Sequence, residues 1–328
     1  MAREGPGLLL RDIQSEADTQ VEAVIAVIFE AAPDVIVLQS IDYDHDLFAL
    51  RALRDAIAKR GLRFDYLFAM QPNSGVATGL DMDGDGRLGR PRDAQSYGLF
   101  SGQGGMAILS RYQIDVAAVT DYSALLWKDI PDALLPRRKD GVFPSPEALA
   151  VQRVSSVAHW QVPILVGDSR LHLMTFHASP PVFDGVEDRN GRRNHDEIRL
   201  WQHVLNGAFG APPDTFVILG DANLDPHDAD GLKPAIRSLL HDTRIQDPRP
   251  KRPGMVAQTI PHKGDPNLDT VDWSQNGPGL LRVSYILPAA SIRVAQAKVH
   301  WPDAESESGQ VAARASRHRL VWVDLWLD

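Results

Sequence analysis

The sequence predicts a layered fold in which helices and strands alternate, either α/β or α+β. Three observations carry this reading. Two amphipathic helical patterns near the start are separated by a short apolar run at Val35–Leu38. Further on, Phe216-Val217-Ile218-Leu219 is an apolar run of strand length, halted by Gly220 and followed by Asp221, Asn223 and Asp225. The chain closes on an alternating pattern from Leu320 to Leu325, just behind His318. Apolar residues are 44% of 328, enough for a substantial core. Length alone suggests about two domains. No Ser/Gly/Pro linker or charge block divides the chain, however, and it reads as one domain, 1–328.

Taken in order, 19–32 predicts a helix with Val21, Val24, Ile25 and Ile28 on one face and Asp18 or Thr19 as its cap. Pro33-Asp34 ends it, and Val35–Leu38 is a buried strand. A second helix over 46–59 presents Leu47, Leu50, Leu53 and Ile57, and a strand follows around 64–68. Residues 71–104 form a long Gly-rich segment without hydrophobic period, and loops of that length are functional or tied down by something. Gly105–Arg111 reads as a strand entering a turn. Residues 123–146 are irregular, with four prolines, and the basic run Arg137-Arg138-Lys139 reads as a solvated face. Residues 151–164 and 170–176 predict an antiparallel pair joined at Gly167-Asp168. A polar loop over 184–197 feeds a helix whose buried face is Ile198, Trp201, Val204 and Leu205. A short helix over 233–240 leads to a polar, Pro-rich stretch up to Thr270, then strands over 281–287 and 292–299.

Several groups in this order bear chemistry. In Asp81-Met82-Asp83-Gly84-Asp85-Gly86-Arg87, acids at alternate positions with a glycine sixth match the first half of a calcium loop. Asp81, Asp83, Asp85 and the Arg87 carbonyl would converge on Ca²⁺. Arg92 stands at position twelve in place of the bidentate glutamate, with Asp93 next door as its substitute. The competing reading is a hydrated acidic turn. Asp221 and Asn223 leave one strand end two residues apart, which places them on one side, although Asp and Asn also make Asx turns there. His177 ends its own strand beside a proline break, well placed for a cleft. Arg189, Asn190, Arg193 and Asn194 precede a helix and suit an oxyanion such as phosphate, or else a salt-bridged cap.

Composition narrows the function classes. The formal charge is −9 and no Lys/Arg-rich run stands out, which argues against nucleic-acid affinity built on bulk electrostatics. With no cysteine, disulfides and thiolate metal sites are excluded. No apolar run is long enough to span a membrane, and Met1-Ala2-Arg3-Glu4-Gly5-Pro6 does not read as a signal peptide. Nothing in the pattern sets the oligomeric state.

The order of these pieces resembles the endonuclease/exonuclease/phosphatase family, the metal-dependent phosphoesterases related to DNase I and the sphingomyelinases. The pieces are the strand ending near Leu38, Gly105–Arg111, the strand ending in His177, Gly220-Asp221-Ala222-Asn223, the Val283–Leu287 strand, and Ser316-Arg317-His318. The resemblance covers nearly the whole chain, and its most specific pieces are Gly220–Asn223 and His318. It implies a four-layer α/β/β/α sandwich of two mixed sheets with helices outside. It also implies phosphoester hydrolysis by in-line attack of water, usually with Mg²⁺ or Mn²⁺. On this resemblance Asp221 would orient or deprotonate the water, Asn223 would hold a phosphoryl oxygen, and His177 and His318 would serve the transition state. The 71–104 loop and the 188–197 segment look like a bacterial branch whose members are often exported. That implies a periplasmic or extracellular protein, the alternative being a cytoplasmic one.

Departures from the family pattern set further expectations. Ser40 falls where the family has its metal-binding glutamate, Ser284 replaces an aspartate that pairs with the catalytic histidine, and Arg317 replaces another acid. The family's first strand, carrying an asparagine, is not found. Asp42 and Asp44 are then candidate replacement metal ligands, and Arg317 a fixed cation that stabilises phosphoryl charge. Two functions follow: a phosphoesterase acting on a small phosphoester or phospholipid headgroup, or a non-catalytic member binding a phosphorylated ligand or a protein partner.

Overall fold

The computed structural model describes residues 1–139, 141–254, 262–275 and 277–327. Parts of the irregular 123–146 segment and of the Pro-rich stretch before Thr270 (residues 140 and 255–261) lie outside the described residues.

Helix α1 (Leu8–Ser15) precedes α2 (Thr19–Ala31), whose first turn is capped by the Asp18 carboxylate accepting from the Val21 amide at 2.8 Å. Strand β1 (Val35–Ile41), helix α3 (Phe48–Lys59) and strands β2 (Tyr66–Phe68) and β3 (Gly105–Ser110) follow. These strands form an antiparallel sheet in the order β1-β3-β2. All six β3 residues are buried because both faces are covered. Ala107 and Leu109 meet Ile25, Leu50, Leu53 and Ile57 of the helices, whereas Met106 and Ile108 meet the larger core.

Helix α4 (Pro146–Val151) comes next, then β4 (His159–Val166) and β5 (Ser169–His177). After the long helix α5 (Arg189–Leu205) come β6 (Phe216–Asp221) and α6 (Pro234–Leu240). Strands β7 (Val271–Trp273) and β8 (Gly279–Leu281) pair with each other, and β9 (Ser284–Pro288) returns to the larger sheet. That sheet runs β9-β6-β5-β4, and the two-residue strands Gln113–Ile114 and Thr120–Asp121 pair with β4. β5 and β6 are parallel while β4–β5 and β6–β9 are antiparallel. Trp127, Trp160, Trp201 and Met174 are fully buried in the core about this sheet. Strand β10 (Arg293–His300), helix α7 (Glu307–Ala315) and strand β11 (Leu320–Trp326) complete the chain. β10 and β11 form a separate two-stranded antiparallel sheet, and α7 packs its Ala312 and Ala315 against Ala23 and Val27 of α2.

Three expected boundaries are corrected. The strand expected from residue 151 starts at His159, because Ser145 caps and Pro146 begins a short helix, the Ser145 hydroxyl accepting from the Ala148 amide. The polar loop expected through residue 197 is helical from Arg189. The strand expected from residue 281 starts at Ser284, because Leu281 is already paired with Val271.

Candidate functional site

The parallel strands β5 and β6 end side by side, with Asp221 in register with His177. Their close approach depends on Gly220. Its φ of 151° lies where side chains are strained, and a Cβ there would stand 2.0 Å from the Phe176 carbonyl oxygen. Asp221 is buried, and its Oδ2 lies 3.8 Å from His177 Nε2 and 3.3 Å from His318 Nδ1. One carboxylate thus faces two imidazoles from distant parts of the sequence. Burial draws His177 below the usual imidazole range, opposed by Asp221 and assisted by His318 and the chain's amino group. Its Nδ1 is buried without a hydrogen-bond partner among the described residues.

His318 reaches the site from the turn before β11. Val271 bridges to its backbone, and the Trp273 ring meets its imidazole edge-on at 5.5 Å. With Nδ1 turned to Asp221 and a third of its side chain exposed, Nε2 is the nitrogen left for a ligand. Arg317, next to it, stacks its guanidinium 5.4 Å over the Trp273 ring and has no ion-pair partner among the described residues. A cavity of about 1330 Å³ opens from this point and is lined by His177, Asp221, Asn223, Ser284, Arg317 and His318.

Asn223 does not continue the strand as expected. The strand stops at Asp221, and Asn223 sits in the left-handed region at φ 48°, its amide donating to Asp221 Oδ1 at 2.9 Å. The Asx turn and the site therefore coexist. Asn223 Nδ2 donates to the Ala178 carbonyl at 2.8 Å, so this side chain ties the end of β6 to the loop after β5.

Six other expected site residues are placed elsewhere. Asp42 accepts from the Arg3 and Gly104 amides, and burial raises its pKa. Asp44 spends both oxygens on the first amides of α3, from Phe48 and Ala49. Neither lines the cavity beside Asp221. Arg193 is buried and donates to the Arg153, Val154 and Ser155 carbonyls, and Asn194 Nδ2 donates to the Ser179 and Ala222 carbonyls. Arg189 reaches the Met82 carbonyl, and Asn190 the Val182 carbonyl. The anion site expected at this helix start is a set of structural braces.

Glu197, not among the expected site residues, completes that set. Its carboxylate accepts from the amides and hydroxyls of both Ser156 and Ser179, and Ser156 Oγ also lies 3.2 Å from the His177 carbonyl oxygen. Burial raises its pKa, against the pull of Arg193. The signal was available: Arg193, Asn194 and Glu197 continue the helix face that buries Ile198 and Trp201. Also unforeseen is His262, whose Nδ1 lies 3.4 Å from Asp228 and Nε2 3.2 Å from Asp269. Burial pushes the Asp269 carboxyl up to about 7.

In the long loop, Asp81, Asp83 and Asp85 converge, each offering a carboxylate oxygen within 4.8 Å of the others. Asp81 accepts from the Asp83, Gly84 and Gly86 amides, the wrapping a cation loop requires. Burial raises Asp83, and Asp85, Asp81 and Asp93 raise it further, so a cation there would relieve mutual repulsion. Asp93 does not join as expected. It is buried and accepts from the Met82 and Arg90 amides, closing the loop instead of facing its centre.

A site of this kind at adjacent strand ends of a mixed α+β, DNase I-like fold places the molecule among phosphoester-hydrolase scaffolds. The model of the Endonuclease/Exonuclease/phosphatase family matches residues 13–318, and the chain belongs to that family. The family consists largely of phosphoester hydrolases and typically uses a divalent metal. No curated protein matches the chain. Among solved structures it is similar to an endonuclease/exonuclease/phosphatase from Beutenbergia cavernae, with 15% identity, TM-score 0.55, and coverage of 100% of this chain and 68% of that one. A family protein from Leptotrichia buccalis gives 16% identity, TM-score 0.52 and coverage of 94% and 93%. A humanized D. rerio TDP2 gives 12%, 0.51, 98% and 96%. At these identities the structures show a shared fold alone.

The donor set beside Asp221 does not fit the family's metal. A hard divalent cation is held through carboxylate oxygens, one or two of them for Mg²⁺, and Ser40 offers none. Asp225, which also lines the cavity, holds the His227, Asp228 and Arg282 amides. Among the described residues only Asp81, Asp83 and Asp85 come together as a metal group.

Proposed function

We propose that this protein is a phosphoesterase whose site works through histidine and arginine charge, built on the family's four-layer sandwich. The observation that carries the reading is the convergence of His177 and His318 on Asp221, beside an unpaired Arg317. Asp221 holds His318 by Nδ1 and fixes its tautomer. His318 Nε2 then takes the proton from the attacking water and returns it to the leaving alkoxide. Asp221 Oδ1 is engaged by the Asn223 amide, so water activation moves from the carboxylate to the imidazole. Arg317 supplies positive charge to the phosphoryl oxygens as they gain charge in the transition state. Asn223, with one amide hydrogen still free, is left to position one of those oxygens. A small phosphoester or a phospholipid headgroup is the favoured substrate. Ca²⁺ in the Asp81–Asp85 turn would be structural, pinning the long loop.

Hydrolysis of bis(p-nitrophenyl) phosphate tests this reading, assayed with Mg²⁺, Mn²⁺, Ca²⁺ or EDTA. His318→Ala and Asp221→Ala should each lower turnover by about 10²–10⁴-fold, the range for a general acid–base group. Turnover that persists in EDTA supports Arg317 in the metal's place. Wild-type turnover no higher than the two variants under every condition rejects catalysis. It would instead favour the reading that Ser40 suggests, a fold kept to bind a phosphorylated ligand.

A further inference from the structure

Phe183, Val186 and Leu88, at 76%, 97% and 67%, are the most exposed large apolar side chains among the described residues, and none belongs to a hydrophobic cluster of the core. For Phe183 the exposure is built into the backbone. Asn190 takes hold on either side of it, its side-chain amide donating to the Val182 carbonyl and its backbone amide to the Asp184 carboxylate. Between these anchors Phe183 sits at φ 71°, a region costly for so large a side chain.

Contacts among three loops gather these side chains on one stretch of surface. Arg138 Nη2 meets Glu187, the neighbour of Val186, at 2.9 Å, and its guanidinium lies 4.1 Å from the centre of the Phe143 ring. That ring packs on Gly84, where a Cβ would stand 3.2 Å from it, in the loop that carries Leu88. Arg189 reaches the Met82 carbonyl and ties the same loops together. A lone exposed apolar residue is ordinary, whereas the three most exposed ones in one place mark a contact surface.

Charge says what the surface meets. Arg87, Arg137 and Lys139 are exposed around these tips and have no ion-pair partner among the described residues. The acids between them are engaged: Glu187 by Arg138, Asp85 by Arg90 at 3.6 Å, and Asp81, Asp83 and Asp184 by backbone amides. Apolar tips rimmed by free cations match an anionic lipid surface, whose headgroups attract the cations while its boundary region takes the tips. A nucleic-acid duplex offers no apolar layer, and the acids interrupt the run of cations it would follow. A second copy would bring the same cations to a two-fold contact.

We propose that this patch docks the protein on an anionic lipid bilayer. Residues Pro180 to Phe183 border the cavity that His177 lines, so docking turns the mouth of the site to the headgroups. The docking stands on the surface alone. Its consequence, a phospholipid headgroup as substrate, rests on the phosphoesterase reading.

Co-sedimentation with vesicles of phosphatidylcholine, alone or mixed with phosphatidylglycerol, tests the docking. The wild-type chain should bind the mixed vesicles at least about tenfold more tightly than the neutral ones. Phe183→Asp/Val186→Asp should weaken that binding at least about tenfold, and so should Arg137→Glu/Lys139→Glu. Val116→Asp, at a 60% exposed residue near Pro163 of β4, should change it less than about twofold. Leu88→Asp, on a different loop, repeats the test if the first double variant is unfolded by circular dichroism. A wild-type chain that ignores the mixed vesicles, or loop variants that bind as it does, overturns the proposal. So does duplex DNA binding that only Arg137→Glu/Lys139→Glu removes, or a wild-type dimer that Phe183→Asp/Val186→Asp dissolves. Hydrolysis of bis(p-nitrophenyl) phosphate, measured in parallel, separates the two readings. Vesicle binding without turnover upholds the docking and rejects the phosphoesterase, and turnover without vesicle binding does the reverse.

Discussion

His159 shows how one buried side chain ties stability to pH. Its ring stacks between Phe176 and Trp201, Nδ1 meets Ser155 Oγ at 2.8 Å, and Nε2 meets the Glu197 carbonyl. Full burial drives its pKa down to about 3, the Glu197 carbonyl opposing and Arg193 assisting. Between about 3 and 6.5 the unfolded chain therefore binds a proton that the folded chain refuses, so stability falls as pH falls through that window. Each pH unit costs at most about 1.4 kcal/mol from this group. Urea unfolding at pH 7.5 and 5 should show the loss, and His159→Gln should flatten its slope. An unchanged slope in that variant would assign the pH dependence to other groups. At the site itself, Arg317→Ala should weaken inorganic phosphate binding by about tenfold, the loss of one charge-assisted contact. Arg317→Lys should keep part of it, and titration calorimetry separates the two. Equal affinity in all three proteins would remove Arg317 from the phosphate site.

At the scale of elements, α5 and the acidic loop show opposite degrees of legibility. The apolar face of α5 was readable from its period, yet the jobs of Arg193, Asn194 and Glu197 were not. Their partners, Val154, Ser156, Ser179 and Ala222, lie 15 to 41 residues away, and no local pattern encodes such pairings. Polar residues at a helix start look alike whether they await an anion or brace two loops. Asn194→Ala should strand the Ser179 and Ala222 carbonyls in the interior and cost about 1–3 kcal/mol. The same change at half-buried Gln202, whose Nε2 donates to the Ser238 hydroxyl near the surface, should cost less, about 0.5 kcal/mol. Near-equal losses in chemical denaturation would show that Asn194 is no brace. The acidic loop was legible as a spacing of acids and glycines, since an Asx-turn ladder follows from adjacent residues. Millimolar Ca²⁺ should raise the melting temperature, because a ligand that binds only the folded state stabilises it. Asp83→Ala/Asp85→Ala should abolish that rise, and a rise that survives the double change would place the ion elsewhere.

Over the whole molecule, the legible part was the sequence of strand ends that deliver His177, Asp221 and His318, because each end is announced by a break in an apolar run. The mutual distances of those residues were not legible, nor was the cavity beside them, which exists only once distant strands have packed together. Net charge belongs to this scale as well. At −9 the molecule repels polyanions, and the cleft counters with Arg317, which stacks on Trp273 and has no ion-pair partner among the described residues. Nucleic-acid binding draws most of its nonspecific strength from many phosphate contacts, and its affinity falls steeply as salt rises. A small anionic substrate approaching this surface meets the reverse situation, repulsion that salt screens within a Debye length of about 10 Å at 0.1 M. Raising NaCl from roughly 0.05 to 0.3 M should therefore leave kcat/KM for a small phosphodiester unchanged or up to about twofold higher. A labelled DNA duplex should show no saturable binding at the lower salt. A kcat/KM that collapses with salt, alongside tight duplex binding, would reveal a basic track and make nucleic acid the substrate.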